Sequence, residues 1–239
     1  YAEATTATTV SGTGKNKAGV AINHKANEFF KSKIGNASNE IFALFMAQVY
    51  EKIPNCILAQ FSKLKFIQGS NFAKFKNFFK AKYLDGFMVP SNTFDNVKGN
   101  FPIGFTVWNL NSKEKIANIA CDVYNEDNEK IGVKTFYGNL PKSINKWIVK
   151  FQDKNCEAIG ILTNYPPDFQ NQNKVFIQKN PTVRSGAINI KHENLISISV
   201  YFAVRHCINA TWLNDRDQFL HPNDKWEDDT EFQNNCLAY

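Results

Sequence analysis

The stretch 83-YLDGFMVPSNTFDNVKGNFPIGFTVWNL-110 decides the fold of the chain. Two segments in it, residues 83–90 and 101–110, are rich in the aromatic and β-branched residues that are typical of β-strands. The connection between them, residues 91–100, is too short for the crossover helix that a parallel pair would require. The sequence therefore predicts that the two segments pair antiparallel.

A helix and then a strand are predicted before this pair, within residues 37–61. Apolar residues recur at helical spacing over residues 37–53, where Asn36 or Ser38 can act as the N-cap and Pro54 ends the helix. The short apolar run 56–61 follows, and it is typical of a strand that is buried on both faces. This interpretation favours a parallel sheet.

A second amphipathic helix is predicted over residues 70–83. Its aromatic side chains share one face and are expected to pack in the core: Phe72, Phe75 and Phe79. The lysines lie mostly on the opposite face and are interpreted as a solvated surface. Farther along the chain, the segments 116–124 and 131–137 flank a turn-like sequence and are predicted to form a hairpin that extends the antiparallel part of the sheet.

The remainder of the chain, residues 141–239, is predicted to be an α+β extension whose role is open. Its pattern indicates a helix over 144–151, strands over 158–163 and 174–178, and a helix over 195–208. Residues 1–140 form the first domain in this interpretation. Residues 1–19 are rich in Thr and Gly and show no periodicity, so we expect a loop there.

Composition narrows the class of protein without fixing its function. The net charge of +6 permits a polyanionic partner but does not require one. The five cysteines stand singly, which favours neither a disulfide framework nor a zinc knuckle and fits a cytoplasmic protein. No apolar run approaches the length that a membrane helix needs, and no signal peptide is recognisable, so no membrane partner is expected.

The order of elements resembles a known family. Helix, buried strand, Phe-rich helix, strand, aromatic-bearing loop and antiparallel strand follow one another as in the adenine-specific (N6) DNA methyltransferases of restriction-modification systems. The likeness covers residues 36–110 and includes Ser91-Asn92-Thr93-Phe94 before the strand 101–107. Tyr1, followed by Ala2-Glu3-Ala4, resembles the last residue of the family's Asn-Pro-Pro-Tyr motif.

This resemblance implies a fold and a cofactor. The fold is α/β: residues 1–140 would be the C-terminal half of the catalytic domain, the second half of a Rossmann-like sheet that ends in an antiparallel strand pair. The intact enzyme would transfer a methyl group from S-adenosylmethionine to the exocyclic amino group of an adenine flipped out of double-stranded DNA. The half that binds most of the cofactor is missing from this sequence, so we expect the chain alone to be inactive. Other domains or subunits of the restriction-modification enzyme are expected partners.

The resemblance also implies roles for individual residues. Tyr1 would stack on the flipped adenine as the catalytic-site aromatic, and Phe94 would hold the same base from a second side. Phe45 would pack against the adenine ring of the cofactor. Lys15 and Lys17 would contact the DNA backbone. The reaction depends on positioning and electrostatics, and we expect no metal.

Plainer interpretations of these residues remain open. Phe94 can instead cap the core at a strand end, Phe45 can be ordinary core packing, and the two loop lysines can be solvated. At the level of function, the alternatives are a non-catalytic module that binds DNA or a partner, and a methyltransferase acting on RNA or on protein glutamine.

Three other motif-like features give weaker indications of function. Residues 11–16 lack the first Gly and the final Ser or Thr of a phosphate-binding loop. Four potential zinc ligands lie near the end of the chain, but their spacing fits no common zinc site: His206, Cys207, His221 and Cys236. The acidic group over residues 215–231 lacks the Lys expected of a magnesium-dependent nuclease and is interpreted as a capped surface helix.

Overall fold

The structure, a computed structural model, describes residues 25–95, 97, 99–140, 142–152, 157–179, 187–222 and 224–239. The chain divides into two compact units, residues 1–139 and 140–239, beside the boundary suggested by the sequence. Helices and strands occur in both units, so the protein is of mixed α/β class. Within the described part, no helix is long and apolar enough to cross a membrane.

The first unit is built on a five-stranded mixed sheet. Its elements in chain order are α1 (Lys25–Ile34), α2 (Ile41–Lys52), β1 (Ile57–Lys63), α3 (Lys65–Gln68), α4 (Ala73–Phe78), β2 (Lys82–Pro90), β3 (Pro102–Asn109), β4 (Asn118–Tyr124) and β5 (Lys130–Tyr137). The strand order is β1-β3-β2-β4-β5. β3 is antiparallel to both β1 and β2, β4 is antiparallel to β5, and β2 and β4 are parallel.

Both predicted antiparallel pairs are confirmed. Phe87 of β2 lies opposite Phe105 of β3, and Ile119 of β4 lies opposite Phe136 of β5. The hairpin of β4 and β5, however, does not extend the antiparallel part of the sheet. β4 lies on the side of β2 away from β3, and it joins β2 through a short parallel ladder in which Phe87 faces Asp122.

The strand predicted at residues 56–61 is present as β1, but the expectation that it is buried on both faces is wrong. Its side chains alternate between exposed and buried, and among the described residues it pairs only with β3, in the antiparallel sense. The sequence is misleading here because the exposed positions are themselves apolar: Ile57, Ala59 and Phe61. β1 and β2 nevertheless point the same way, since both oppose β3.

The first predicted helix starts later than its apolar pattern suggests. Gly35 has a φ of +60°, in the left-handed region that favours glycine, and residues 35–39 form a 3-10 turn after α1. Consequently α2 begins at Ile41 and not near residue 37. Neither predicted N-cap is used, because Glu40 occupies that position without a side-chain cap and pairs with Lys65 instead.

The second predicted helix is shorter than expected. Residues 70–72 form a 3-10 turn, and α4 ends at Phe78, five residues before the predicted end at Tyr83. Phe79 leaves the helical backbone and is fully buried, in a stacked ring contact with Phe75 and an edge contact with Trp108. Burial of such a ring stabilises a core by about 1.5–3 kcal/mol, so Phe79 contributes to the core although it lies beyond the helix.

The second unit contains a three-stranded antiparallel sheet. Its elements are α5 (Ile144–Ile148), β6 (Gly160–Thr163), β7 (Phe176–Gln178), β8 (Ala187–Ile190), α6 (Leu195–His206) and α7 (Thr230–Ala238), with strand order β7-β6-β8. The predicted α5, β6, β7 and α6 are confirmed, with shorter strands. The sequence pattern did not reveal β8. The capped surface helix expected over residues 215–231 is wrong for most of that range, because α7 begins only at Thr230. α7 is capped by Asp229, whose carboxylate accepts the backbone N–H of Phe232.

Candidate functional site

An aromatic cluster covers one face of the first sheet. We call it the Phe61 cluster; its members are Phe61, Phe87, Phe94, Phe105 and Tyr124. Three of these rings come from one row across β1, β3 and β2, because Phe61, Phe105 and Phe87 are opposite one another in register. Aromatic pairs directly across strands are favourable at this spacing.

The cluster lies on the face of the sheet that the helices leave open. Trp108 of β3 points to the other face, where it is fully buried against Phe66 of α3 and Phe79. Phe61 is 42% exposed, and the other four rings are half-buried. These rings therefore form a partly exposed aromatic patch, the kind of surface at which binding sites are found.

Phe94 joins this cluster from the loop after β2. Its ring meets that of Phe61 edge-on, with 5.3 Å between the ring centroids and 74° between the planes. Its backbone N–H donates to the carbonyl of Ser91, within the 3-10 turn Ser91–Thr93. The structure therefore brings Phe94 to the carboxyl end of β2, half-buried and in contact with β1.

The buried Ser91 holds both ends of this loop. Its N–H donates to the carbonyl of Phe101 at 2.9 Å, and its hydroxyl donates to the carbonyl of Gly99 at 2.7 Å. Gly99 has a φ of +124°, so a side chain at that position would be strained. Ser91 thus ties the start of the loop that carries Phe94 to its end.

A cation borders the same edge of the sheet. Lys63 is the last residue of β1, and its Nζ lies 4.5 Å from the ring centroid of Phe101. The carboxyl ends of β1 and β2 share this edge because the two strands run in the same direction. In open α/β sheets, ligands bind outside the carboxyl ends of the strands. An aromatic surface, a positive charge and a fixed loop therefore meet at an edge suited to a planar, anionic ligand such as a nucleotide.

Of the other predicted site residues, only Phe45 lies within the described part of the chain. Phe45 lies half-buried on α2, outside the Phe61 cluster, and its cofactor role stays a prediction. Tyr1, Lys15 and Lys17 lie outside the described residues. The sequence did not single out Phe61, Phe87 and Phe105, although their alternation with buried neighbours along each strand is visible once the register is known.

The helix-covered face of β1 contains two polar atoms without hydrogen-bond partners among the described residues. They are Nε2 of Gln60, which is 8% exposed, and Oγ of Ser62, which is 7% exposed. Neighbouring Thr106 on β3 is engaged by Trp108, whose indole N–H donates to its Oγ1 at 2.9 Å. β1, which carries both groups, is the terminal strand of the described sheet.

Lys76 and Tyr83 are two groups of the first unit whose pKa values are shifted by burial. Burial lowers the pKa of the Lys76 ammonium, which donates to the carbonyls of Ile67 and Gly138. Burial also raises the pKa of Tyr83, whose hydroxyl donates to the carbonyl of Ala120 at 2.6 Å. Both groups join elements of the unit, and neither lies in the Phe61 cluster.

A metal centre is not found in the part of the chain that the structure describes, where no group of three or more His, Cys, Asp or Glu could hold an ion. Comparisons with known proteins add no identification: no protein family, no curated protein and no solved structure matches the chain.

Proposed function

We propose that this chain is part of an adenine-specific DNA methyltransferase of a restriction-modification system, which transfers a methyl group from S-adenosylmethionine to a flipped adenine. The observation that carries the proposal is the position of Phe94. Its ring lies at the carboxyl end of β2 on a loop held by Ser91, beside the exposed ring of Phe61. An extruded base needs such an aromatic surface, because it loses its stacking partners when it leaves the duplex.

The sheet order supports the finer assignment of a Rossmann-like methyltransferase half. β1 and β2 run in the same direction and are connected through α3 and α4, while β3 inserts between them in the opposite direction. This is the antiparallel ending that the resemblance implies. The hairpin of β4 and β5 is an addition beyond it.

The free edge of β1 suits a sheet that continues. A long edge strand with exposed apolar side chains and no proline is a site for pairing with a further strand. In the proposed enzyme, the half that binds most of the S-adenosylmethionine would attach at this edge.

Charge supports a nucleic-acid substrate for the first unit. Residues 1–139 contain 17 lysines against 11 acidic residues, whereas residues 140–239 contain 11 basic and 11 acidic residues. The whole net charge of +6 therefore belongs to the first unit. Such an excess contributes sequence-independent attraction to phosphates.

The test uses the protein extended upstream through the proposed cofactor-binding half. It is incubated with labelled S-adenosylmethionine and an equimolar mixture of duplex DNA, RNA and unfolded protein, and the label in each fraction is counted. We expect label in DNA adenine, with Tyr1→Ala reducing the rate at least 100-fold and the control Tyr137→Ala, an exposed tyrosine on β5, leaving it unchanged. If the label appeared in RNA or protein instead, the substrate would be RNA or protein and not DNA. If the extended protein bound no S-adenosylmethionine, a non-catalytic binding module would be favoured.

A further inference from the structure

The strand β5 is the second terminal strand of the first sheet, at the edge opposite β1. Among the described residues it pairs only with β4, so one side of its backbone has no strand beside it there. β5 contains no proline, and Val133 and Tyr137 are 60% and 52% exposed. An edge strand with exposed apolar side chains is a template for pairing with a further strand.

The regular part of this edge is residues 132–137, because the register between β4 and β5 shifts just before it. Along this part, Val133, Thr135 and Tyr137 lie on one face and are all exposed, whereas Phe136 is buried on the opposite face. The row of the Phe61 cluster continues across β4 to Val133, so the exposed side chains lie on the open face of the sheet. Pairing of a further strand would therefore extend this open face.

Charged side chains often keep an edge strand from pairing, and β5 has two lysines. Both are held against their own chain. Nζ of Lys130 lies 2.7 Å from Oδ2 of Asp122, and Nζ of Lys134 lies 4.9 Å from the ring centroid of Phe136. Lys130 also precedes the regular part of the edge. Lys134 is therefore the charge that restricts which strand can pair here.

A second copy of β5 meets this restriction in one antiparallel register. With Thr135 on the two-fold axis, Thr135 faces its own counterpart, Val133 faces Tyr137 of the second copy, and Lys134 faces Phe136 of the second copy. Threonine pairs and pairs of an aromatic with a β-branched residue are favourable across strands. With Lys134 on the axis, two like charges would lie directly opposite each other, which is destabilising. With Val133 on the axis, the pairing would run into the irregular start of β5.

We propose that β5 pairs antiparallel with β5 of a second copy of this chain, with Thr135 on the two-fold axis, so that two sheets join into one. Such a contact uses the same surface of both copies and closes at a dimer. One pair of strands is a small interface, so the dimer is in equilibrium with the monomer. The proposal does not depend on methyl transfer, and it leaves β1 available to the missing half of the proposed enzyme.

The test follows association of the 239-residue chain by sedimentation velocity from about 1 µM to about 100 µM. Thr135→Lys and Thr135→Glu are measured separately and then mixed in equal amounts. Because Thr135 is exposed, thermal unfolding should show that both variants fold like the unsubstituted protein. Ile57→Lys is the matched control, since Ile57 is 56% exposed on the other terminal strand.

We expect the unsubstituted chain to dimerise, and each Thr135 variant alone to dimerise about 10-fold more weakly or less, because like charges then face each other on the axis. The mixture should recover the dimer, since lysine then faces glutamate. Ile57→Lys should associate like the unsubstituted chain. A monomer at every concentration, undiminished dimers of both Thr135 variants, or a mixture that stays monomeric would overturn the proposal. Loss of association in Ile57→Lys would also overturn it, because the contact would then involve β1.

Discussion

The ring of Phe94 stands edge-on to that of Phe61, 5.3 Å away, and this contact joins the loop after β2 to the terminal strand β1. The two residues are 33 positions apart in the sequence, so only the insertion of β3 between β1 and β2 brings their strands to one sheet edge. In the proposed function, Phe94 would contact the flipped base and Phe61 would support the ring of Phe94.

Phe94→Ala tests this arrangement in the extended enzyme. Stacking on an aromatic side chain contributes about 1–3 kcal/mol per base, so we expect methyl transfer to fall about 10- to 100-fold, while Phe94→Trp keeps most activity. The unfolding transition should shift little, because the ring is half-exposed. Steady-state kinetics check the rate, with Phe176→Ala, a partly exposed ring of β7, as the control. If Phe94→Ala were as active as the unsubstituted enzyme, the ring would serve core packing only.

Thr106→Val should destabilise the first unit without changing its shape. The substitution removes the acceptor for the indole N–H of Trp108, and both side chains are fully buried. An orphaned buried donor costs about 1–3 kcal/mol. Faster hydrogen exchange in the amides of β3 measures the loss, and Thr106→Ser, which keeps the hydroxyl, should exchange more slowly than Thr106→Val. Identical exchange in the two variants would mean that the hydrogen bond contributes nothing.

Stability of the second unit should fall in alkali. Burial raises the pKa of Tyr201 from 10.0 to about 12, although the neighbouring Arg205 opposes the shift. Below about pH 10 the phenol is neutral in both folded and unfolded states, and its contribution is intact. Between about pH 10 and 12 only the unfolded state ionises, so we expect a loss of about 2–3 kcal/mol.

The measurement is the free energy of urea unfolding of the second unit as a function of pH. Tyr201→Phe provides the comparison, because it cannot ionise. Its unfolding free energy should start lower, owing to the lost hydrogen bonds, and then decline less steeply above pH 10. Parallel pH profiles for the two proteins would contradict the assignment.

Gly86→Ala should disrupt the pairing of β2 with β3. A Cβ at Gly86 would lie 2.5 Å from the carbonyl oxygen of Phe105 and 2.7 Å from the hydroxyl of Tyr83. Since backbone atoms cannot yield cheaply, we expect a loss of about 1–3 kcal/mol. Gly160→Ala is the matched control on β6, where the nearest atom lies at 3.6 Å. Thermal unfolding of both variants distinguishes a local clash from a general cost of replacing strand glycines.

Much of the first sheet is predictable from sequence, and the reasons are local. The connection between β2 and β3 is too short for a crossover, and the hairpin of β4 and β5 has a turn-like centre, so both pairings follow from chain length and turn chemistry. The position of β1 does not follow, because Ile57 and Phe61 are apolar yet exposed. The late start of α2 depends on the left-handed backbone of Gly35, which periodicity does not reveal.

The candidate site is predictable only in part. The sequence singles out Phe94 through its loop and the resemblance that contains it. Phe61, Phe87 and Phe105 become partners of Phe94 only when the register places them in one row. Arg205 is hidden from sequence reasoning for a similar reason, since its acceptors on residues 145, 165 and 166 are distant along the chain.

The most direct measurement of the central claim is nucleoside mass spectrometry of DNA from cells that lack their own adenine methylation and express the protein extended upstream. The account predicts N6-methyladenine within one recognition sequence, and its disappearance when Tyr1→Ala is expressed at the same level. DNA without N6-methyladenine, from cells in which the extended protein is folded and binds S-adenosylmethionine, would contradict the claim that this protein methylates adenine in DNA.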